Sequence, residues 1–273
     1  MRDRLLRYIY LAIAVAFVGL RLFSIPPWDQ SVDAYAYWST GSGNLYDGAT
    51  GAMGSYLYSP AFAQVLTPIS WLPWPVFNAL WTAMNVALLY WLVGRWALLS
   101  LVFLPIPFEI ISGNIHLTLA AVIVLAFRHP AAWAVAILTK VTPGVGLLWA
   151  VGRRDVRAIL QATIATVTIA AVSFALAPDL WRAWIDLLTA DAGRPLVTLG
   201  WYLPVPLLPR LAAAAALALW GGWTDRRWTV PVAMTLALPV VWLNSLAVLA
   251  ALIPLTAPIH RDQPGSQAMN SAR

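Results

Sequence analysis

The chain has 273 residues, of which 61% are hydrophobic and 10% charged, and its mean hydropathy of +0.73 lies far outside the range of soluble globular domains. It has no cysteine, which excludes disulfides and thiolate metal sites. The net charge of +6 comes from arginines set beside apolar runs rather than from a basic stripe, which argues against a nucleic-acid partner.

In chain order, Met1 to Arg7 carries three arginines and predicts a cytoplasmic amino terminus, followed by a first span at about Leu5 to Leu22. Residues 24–73 then form a polar, turn-rich outer loop holding Asp29, Asp33 and Asp47 among Tyr35, Tyr37, Tyr46, Tyr56 and Tyr58. Two short helices are expected in it, one from Ser31, with that serine as a possible cap, and one over Pro60 to Ile69, too short to cross and set along the interface. Trp74 to Val93 reads as the second span. Ala97 to Phe127 leaves room for two short spans broken at Ser112, Gly113 and Asn114.

Ala131 to Val151 can cross once or turn back. Arginines flank it on both sides, and it is interrupted at Lys140 to Gly144, which favours a re-entrant pair of half-helices. Val156 to Ala177 is the clearest later span, and a second outer loop covers 178–209, opening on an amphipathic segment with Trp181 and Trp184. Leu211 to Trp223, Val230 to Trp242 and Ser245 to Leu255 complete the expected set, with residues 256–273 as a cytoplasmic tail. The sum is an all-α, polytopic, single-domain membrane protein with about eight transmembrane helices, one re-entrant element and periplasmic interfacial helices.

Several residue blocks resemble the family 87 glycosyltransferases. They are Asp33 with Tyr37, Asn44 to Tyr46, Tyr58 to Ala63, Pro68, Gly113 with Asn114, and Lys140 to Pro143 before Arg153 and Arg154. The resemblance covers about Ser31 to Arg157 and is looser beyond. It implies a C-type glycosyltransferase fold in the cytoplasmic membrane, with the active site facing the periplasm or exterior. It also implies inverting transfer of a hexose, mannose in the family, from a polyprenyl-phosphate sugar to an envelope glycolipid or glycan. Members of this family commonly carry a tryptophan followed by histidines near the last helices, where this chain has Trp242, Leu243, Asn244 and Ser245. Asn244 can hydrogen-bond there but cannot act as a base.

The residues make a parallel case. Transfer from a lipid phosphate needs a carboxylate that takes the acceptor hydroxyl's proton while the anomeric carbon is attacked from the opposite face. Asp33 is the candidate base; the alternative is that it caps or solvates a surface helix. Asp29 is the reserve and a substrate-binding candidate, and Asp47 belongs to a plain turn. The donor phosphate needs cations, for which Arg21, Arg182, Arg194 and Arg210 are available on the outer side, Arg194 being preferred for its Gly-Arg-Pro loop.

Lys140, the only lysine, is either functional or a broken-helix corner, and Glu109 could partner it or line the cavity. His116 reads as a helix-packing hydrogen bonder. Tyr37, Tyr58 and Asn244 complete the expected substrate-binding set. Three scattered histidines form no metal motif, and no nucleotide loop is present, so neither a metal nor a cofactor is expected. The competing class is a non-catalytic, transporter or flippase-type protein of envelope glycan assembly, which explains the polar outer loop less well.

Overall fold

The computed structural model describes residues 2–26, 30–41, 45–47, 54–190 and 202–256. Helix α1 (Arg2–Arg21) leads to α2 (Val32–Trp38), α3 (Pro60–Ser70) and α4 (Trp74–Val93), and a 3-10 turn carries α4 into α5 (Ala97–Ser100). Then come α6 (Pro105–Ser112), α7 (His116–Ala126), α8 (Trp133–Thr139), a 3-10 helix Thr142–Leu147 and α9 (Leu148–Gly152). The rest is α10 (Val156–Leu176), α11 (Pro178–Ala190), α12 (Leu207–Trp223), α13 (Thr229–Ala237), a 3-10 helix Leu243–Ala251 and α14 (Leu252–Thr256). Among the described residues the fold is all-α, and its only strand-like pairing is the isolated bridge between Tyr202 and Trp242.

The expected set of about eight membrane spans is overturned. Among the described residues two helices are long and apolar enough to cross, Trp74–Ser100 and Val156–Leu176, and a third crossing results if α6 and α7, bent by 109° at their junction, are counted as one span. The reason is length. A helix rises about 1.5 Å per residue against a hydrocarbon core of about 30 Å, so roughly 20 apolar residues are needed. α12 has 17 residues, and the apolar run after it is cut at Leu238 into a 9-residue helix and a 9-residue 3-10 helix. In α1, Arg2, Asp3, Arg4, Arg7 and Arg21 leave too short an uncharged middle. The run at Ala131 to Val151 is broken as expected, at Lys140, whose extended backbone separates α8 from the 3-10 helix that opens with Thr142 and Pro143.

α7 is the centre of the fold. Leu117, Leu119, Ala120 and Ile123 are fully buried, packed against α4, α8 and the 3-10 helix Leu243–Ala251. α10 stands at the flank, with Val156, Leu160, Ile164, Val167, Val172 and Leu176 exposed, as a helix facing lipid would be. Its carboxyl end touches the first loop region: Gln64 of α3 donates to the Ser173 carbonyl at 3.1 Å, and Trp184 of α11 donates to the Leu57 carbonyl at 3.4 Å. Its amino end, capped by Asp155 accepting from the Ala158 amide, lies beside α9. α9 and α12 meet backbone to backbone, since a Cβ added at Gly222 would stand 2.0 Å from the Trp149 carbonyl oxygen.

Candidate active site

The site forms where α6 stops. Gly113, in the left-handed region at φ +70°, ends the helix, and a Cβ there would come within 2.6 Å of the Ala34 Cβ, so glycine lets α2 lie directly on the break. The Gly113 carbonyl accepts from the Trp81 indole at 2.6 Å, which fixes the corner against α4. Three polar side chains leave this corner toward one place: Ser112, Asn114 and His116.

Asn114 has an orientation set by its neighbours. Its Oδ1 accepts from the Ile115 amide at 2.8 Å and from the Tyr37 hydroxyl at 3.2 Å. Because the Tyr37 proton is committed to Asn114, the Tyr58 hydroxyl, 2.7 Å away, donates to Tyr37. The Asn114 amide nitrogen is left to donate to Asp33, whose carboxylate also accepts from Ser112. Burial pushes both phenols upward, so they remain protonated donors. A directed chain thus runs Tyr58, Tyr37, Asn114, Asp33.

Glu109 anchors a second chain. It is fully buried, and its Oε1 accepts from the His116 amide at 2.5 Å while Oε2 accepts from His116 Nδ1 at 2.8 Å and from Asn244 Nδ2 at 3.1 Å. Asn244 Nδ2 also reaches Ser112 Oγ at 3.2 Å. With its Nδ1 proton given to Glu109, the neutral His116 ring offers the Nε2 lone pair to Lys140 Nζ at 3.2 Å. The same ammonium lies 5.5 Å from the centre of the Tyr58 ring. The break between α8 and the 3-10 helix at Thr142 therefore brings a cation onto both chains.

Asp33 is half-buried at the junction. Burial, and after it the charge of Glu109, pushes its carboxyl up to about 6; Lys140 and the hydrogen bonds from Asn114 and Ser112 pull the other way. An acid titrating near neutral pH, half-open to solvent and beside a cation, suits proton transfer with a bound hydroxyl.

Of the residues expected from the sequence, the structure brings together Asp33, Tyr37, Tyr58, Lys140 and Asn244. Asp29 and Arg194 lie outside the described residues, and Asp47 is exposed. The other outer-side arginines are engaged elsewhere. Arg210 donates to the carbonyls of Val205, Leu236, Leu238 and Pro239 at 2.7–2.8 Å, capping the end of α13. Arg21 donates to the Ile111 carbonyl at 3.1 Å and lies over Phe17, and Arg182 pairs with Asp179 at the surface. Ser31 begins α2 without capping it by its side chain and donates instead to the Ile111 carbonyl at 3.3 Å. Sequence reasoning undervalued Ser112, Asn114 and His116; their signal was a cluster of polar side chains around a glycine inside an otherwise apolar run. Among the described residues no three potential ligands gather as a metal site would require.

The scaffold is helical, with two helices of membrane-crossing length among the described residues, and its buried polar side chains gather at the break between α6 and α7. The chain belongs to glycosyltransferase family 87, whose family model matches residues 56–272. It is also similar to the polyprenol-phosphate-mannose-dependent alpha-(1-2)-phosphatidylinositol mannoside mannosyltransferase of Mycobacterium tuberculosis strain H37Rv, with 24% identity over 229 residues. That alignment covers 67% of this chain and 54% of the relative, so the chain spans about half the length of the curated relative it matches. No solved structure matches it. The family match includes Tyr58, Glu109, Asn114, His116, Lys140 and Asn244 and begins after Asp33 and Tyr37.

Proposed function

We propose that the protein transfers a hexose, mannose first among the candidates, from a polyprenyl-phosphate sugar to an envelope glycolipid or glycan, with inversion at the anomeric carbon. The supporting observation is the convergence of a half-buried Asp33 with Lys140 at the helix break, beside the short helices α2 and α3. The acceptor hydroxyl oxygen attacks the anomeric carbon while its proton passes to Asp33. The bond from that carbon to the phosphate oxygen breaks, and polyprenyl phosphate leaves with the extra negative charge. Lys140, held by His116, meets that charge as it develops, since the described arginines near the site are bound elsewhere. Tyr37, Tyr58 and Asn244 shape the polar wall, with Asp29 and Arg194 as further substrate contacts. The site is assigned to the outer face of the cytoplasmic membrane.

The test is transfer of labelled mannose from polyprenyl-phosphate mannose by membranes carrying the protein, with GDP-mannose as the control donor in lipid-free assays. Transfer from the lipid donor, lost in Asp33→Asn at equal folded amount, is expected. Transfer from the nucleotide sugar with polyprenol removed would overturn the donor assignment. Tight donor binding without turnover would favour the non-catalytic reading, which the asparagine at position 244 in place of a base supports.

A further inference from the structure

A cavity lies away from Asp33. With a volume of about 710 Å³, it opens between the end of α7 and the start of α10, lined by Phe127, Arg128, His129, Arg157 and Ile164 among others. It lies along the amino-terminal half of α10, down to Ala165, whereas α3 and the Tyr58 region attach at the other end of that helix, where Gln64 donates to the Ser173 carbonyl.

Its charges are unbalanced. Arg128 and Arg157 take part in no ion pair among the described residues, whereas Arg153, close by, is matched with Asp225 at 2.7 Å. The one acid on the cavity wall, Asp155, already accepts from the Ala158 amide as the cap of α10. Arg227, stacked over Phe127 at 5.1 Å, adds positive charge at the rim. The wall then turns apolar in a fixed direction. Ile164, 62% exposed, belongs to the cavity lining and continues the exposed row of Val156, Leu160 and Val167 along α10. Two cations with no acid partner, at the mouth of an apolar track on a lipid-length helix, match a molecule with an anionic head and hydrocarbon tails.

We propose that this cavity is a binding site for an anionic phospholipid, its phosphate held between Arg128 and Arg157 and its acyl chains lying on the exposed face of α10. A free phosphate would satisfy the arginines but leave the apolar track bare, so the lipid is the occupant the whole surface fits. The site is separate from the sugar-transfer centre and does not depend on that assignment.

The full chain, incorporated into vesicles of equimolar phosphatidylglycerol and phosphatidylcholine and re-extracted in neutral detergent, is expected to retain phosphatidylglycerol in preference to phosphatidylcholine. That preference should fall about fivefold for each of Arg128→Gln and Arg157→Gln and be unchanged in Arg95→Gln. Equal retention of the two lipids by the wild type, or an unchanged preference in the double variant, would overturn the proposal. Displacement of the retained lipid by millimolar inorganic phosphate would also overturn it, by showing a site for the free anion. Arg157 is exposed in the first turn of α10, so the single variant keeps the test intact if the double variant unfolds.

Discussion

Asp33 carries two opposite demands that can be measured separately. In its proposed role as base it must be ionised, so the rate should fall as pH drops below about 6, and Asp33→Asn should lose about 10²-fold or more in turnover. As a group in the fold it prefers to be protonated. Its value in the folded protein lies above the ordinary 3.8, so proton binding stabilises the fold at low pH, and this contribution disappears as pH rises through about 6. Asp33→Asn, neutral at every pH, should therefore match or exceed the wild type in Tm at pH 8 while being inactive; a large loss of Tm would mark Asp33 as structural instead. Lys140 lowers the Asp33 value. Lys140→Gln should accordingly raise the donor KM by roughly tenfold and move the acidic limb of the pH profile to higher pH, a shift that loss of packing alone would not cause.

At the scale of elements, the break between α6 and α7 decides the site. Gly113→Ala would place a methyl group 2.6 Å from the Ala34 Cβ in a backbone region that alanine avoids, and should cost about 2 kcal/mol or more. Because the displaced helix is α2, activity should fall further than stability; thermal unfolding of the purified variant beside its transfer rate checks this. The break could be placed from the sequence, since serine, glycine and asparagine interrupt an apolar run there. Which side chains it would unite could not. Glu109 and His116 are seven residues apart on either side of a 109° bend, so no helical periodicity relates them, and Asn244 joins them from 135 residues away. The α3 and α10 helices were legible within a residue or two because proline, serine or aspartate caps mark their starts. The span count failed because apolar composition does not show where a helix is cut: α7 and α13 are as apolar as a span but only 11 and 9 residues long.

For the molecule as a whole, α10 provides a ruler. As a single crossing, it puts the Tyr58 region at its carboxyl end and the junction of α9 with α12 at its amino end on opposite sides of the membrane. The chain has no native cysteine, so single cysteines can report this directly. Asp47→Cys should react with an impermeant maleimide in intact cells, while Thr224→Cys should react only after permeabilisation; both positions are exposed. Equal labelling of the two in intact cells would contradict the arrangement.

The bent pair α6 and α7 also imposes an order on how the protein is made. Neither half is long enough to settle in a bilayer alone, and the buried carboxylate between them receives its Asn244 partner only from the far end of the chain. During synthesis Glu109 and the Leu117 face must therefore wait, incompletely covered, until the segment 243–251 has emerged and docked. For that interval the nascent protein presents an ionisable group and an uncovered half-helix to the membrane, an arrangement whose unmet polar atoms are costly in hydrocarbon. The segment 243–251 thus completes the enclosure of the α6–α7 bend, and a ribosome stalled before Leu243 would leave Glu109 without its Asn244 partner.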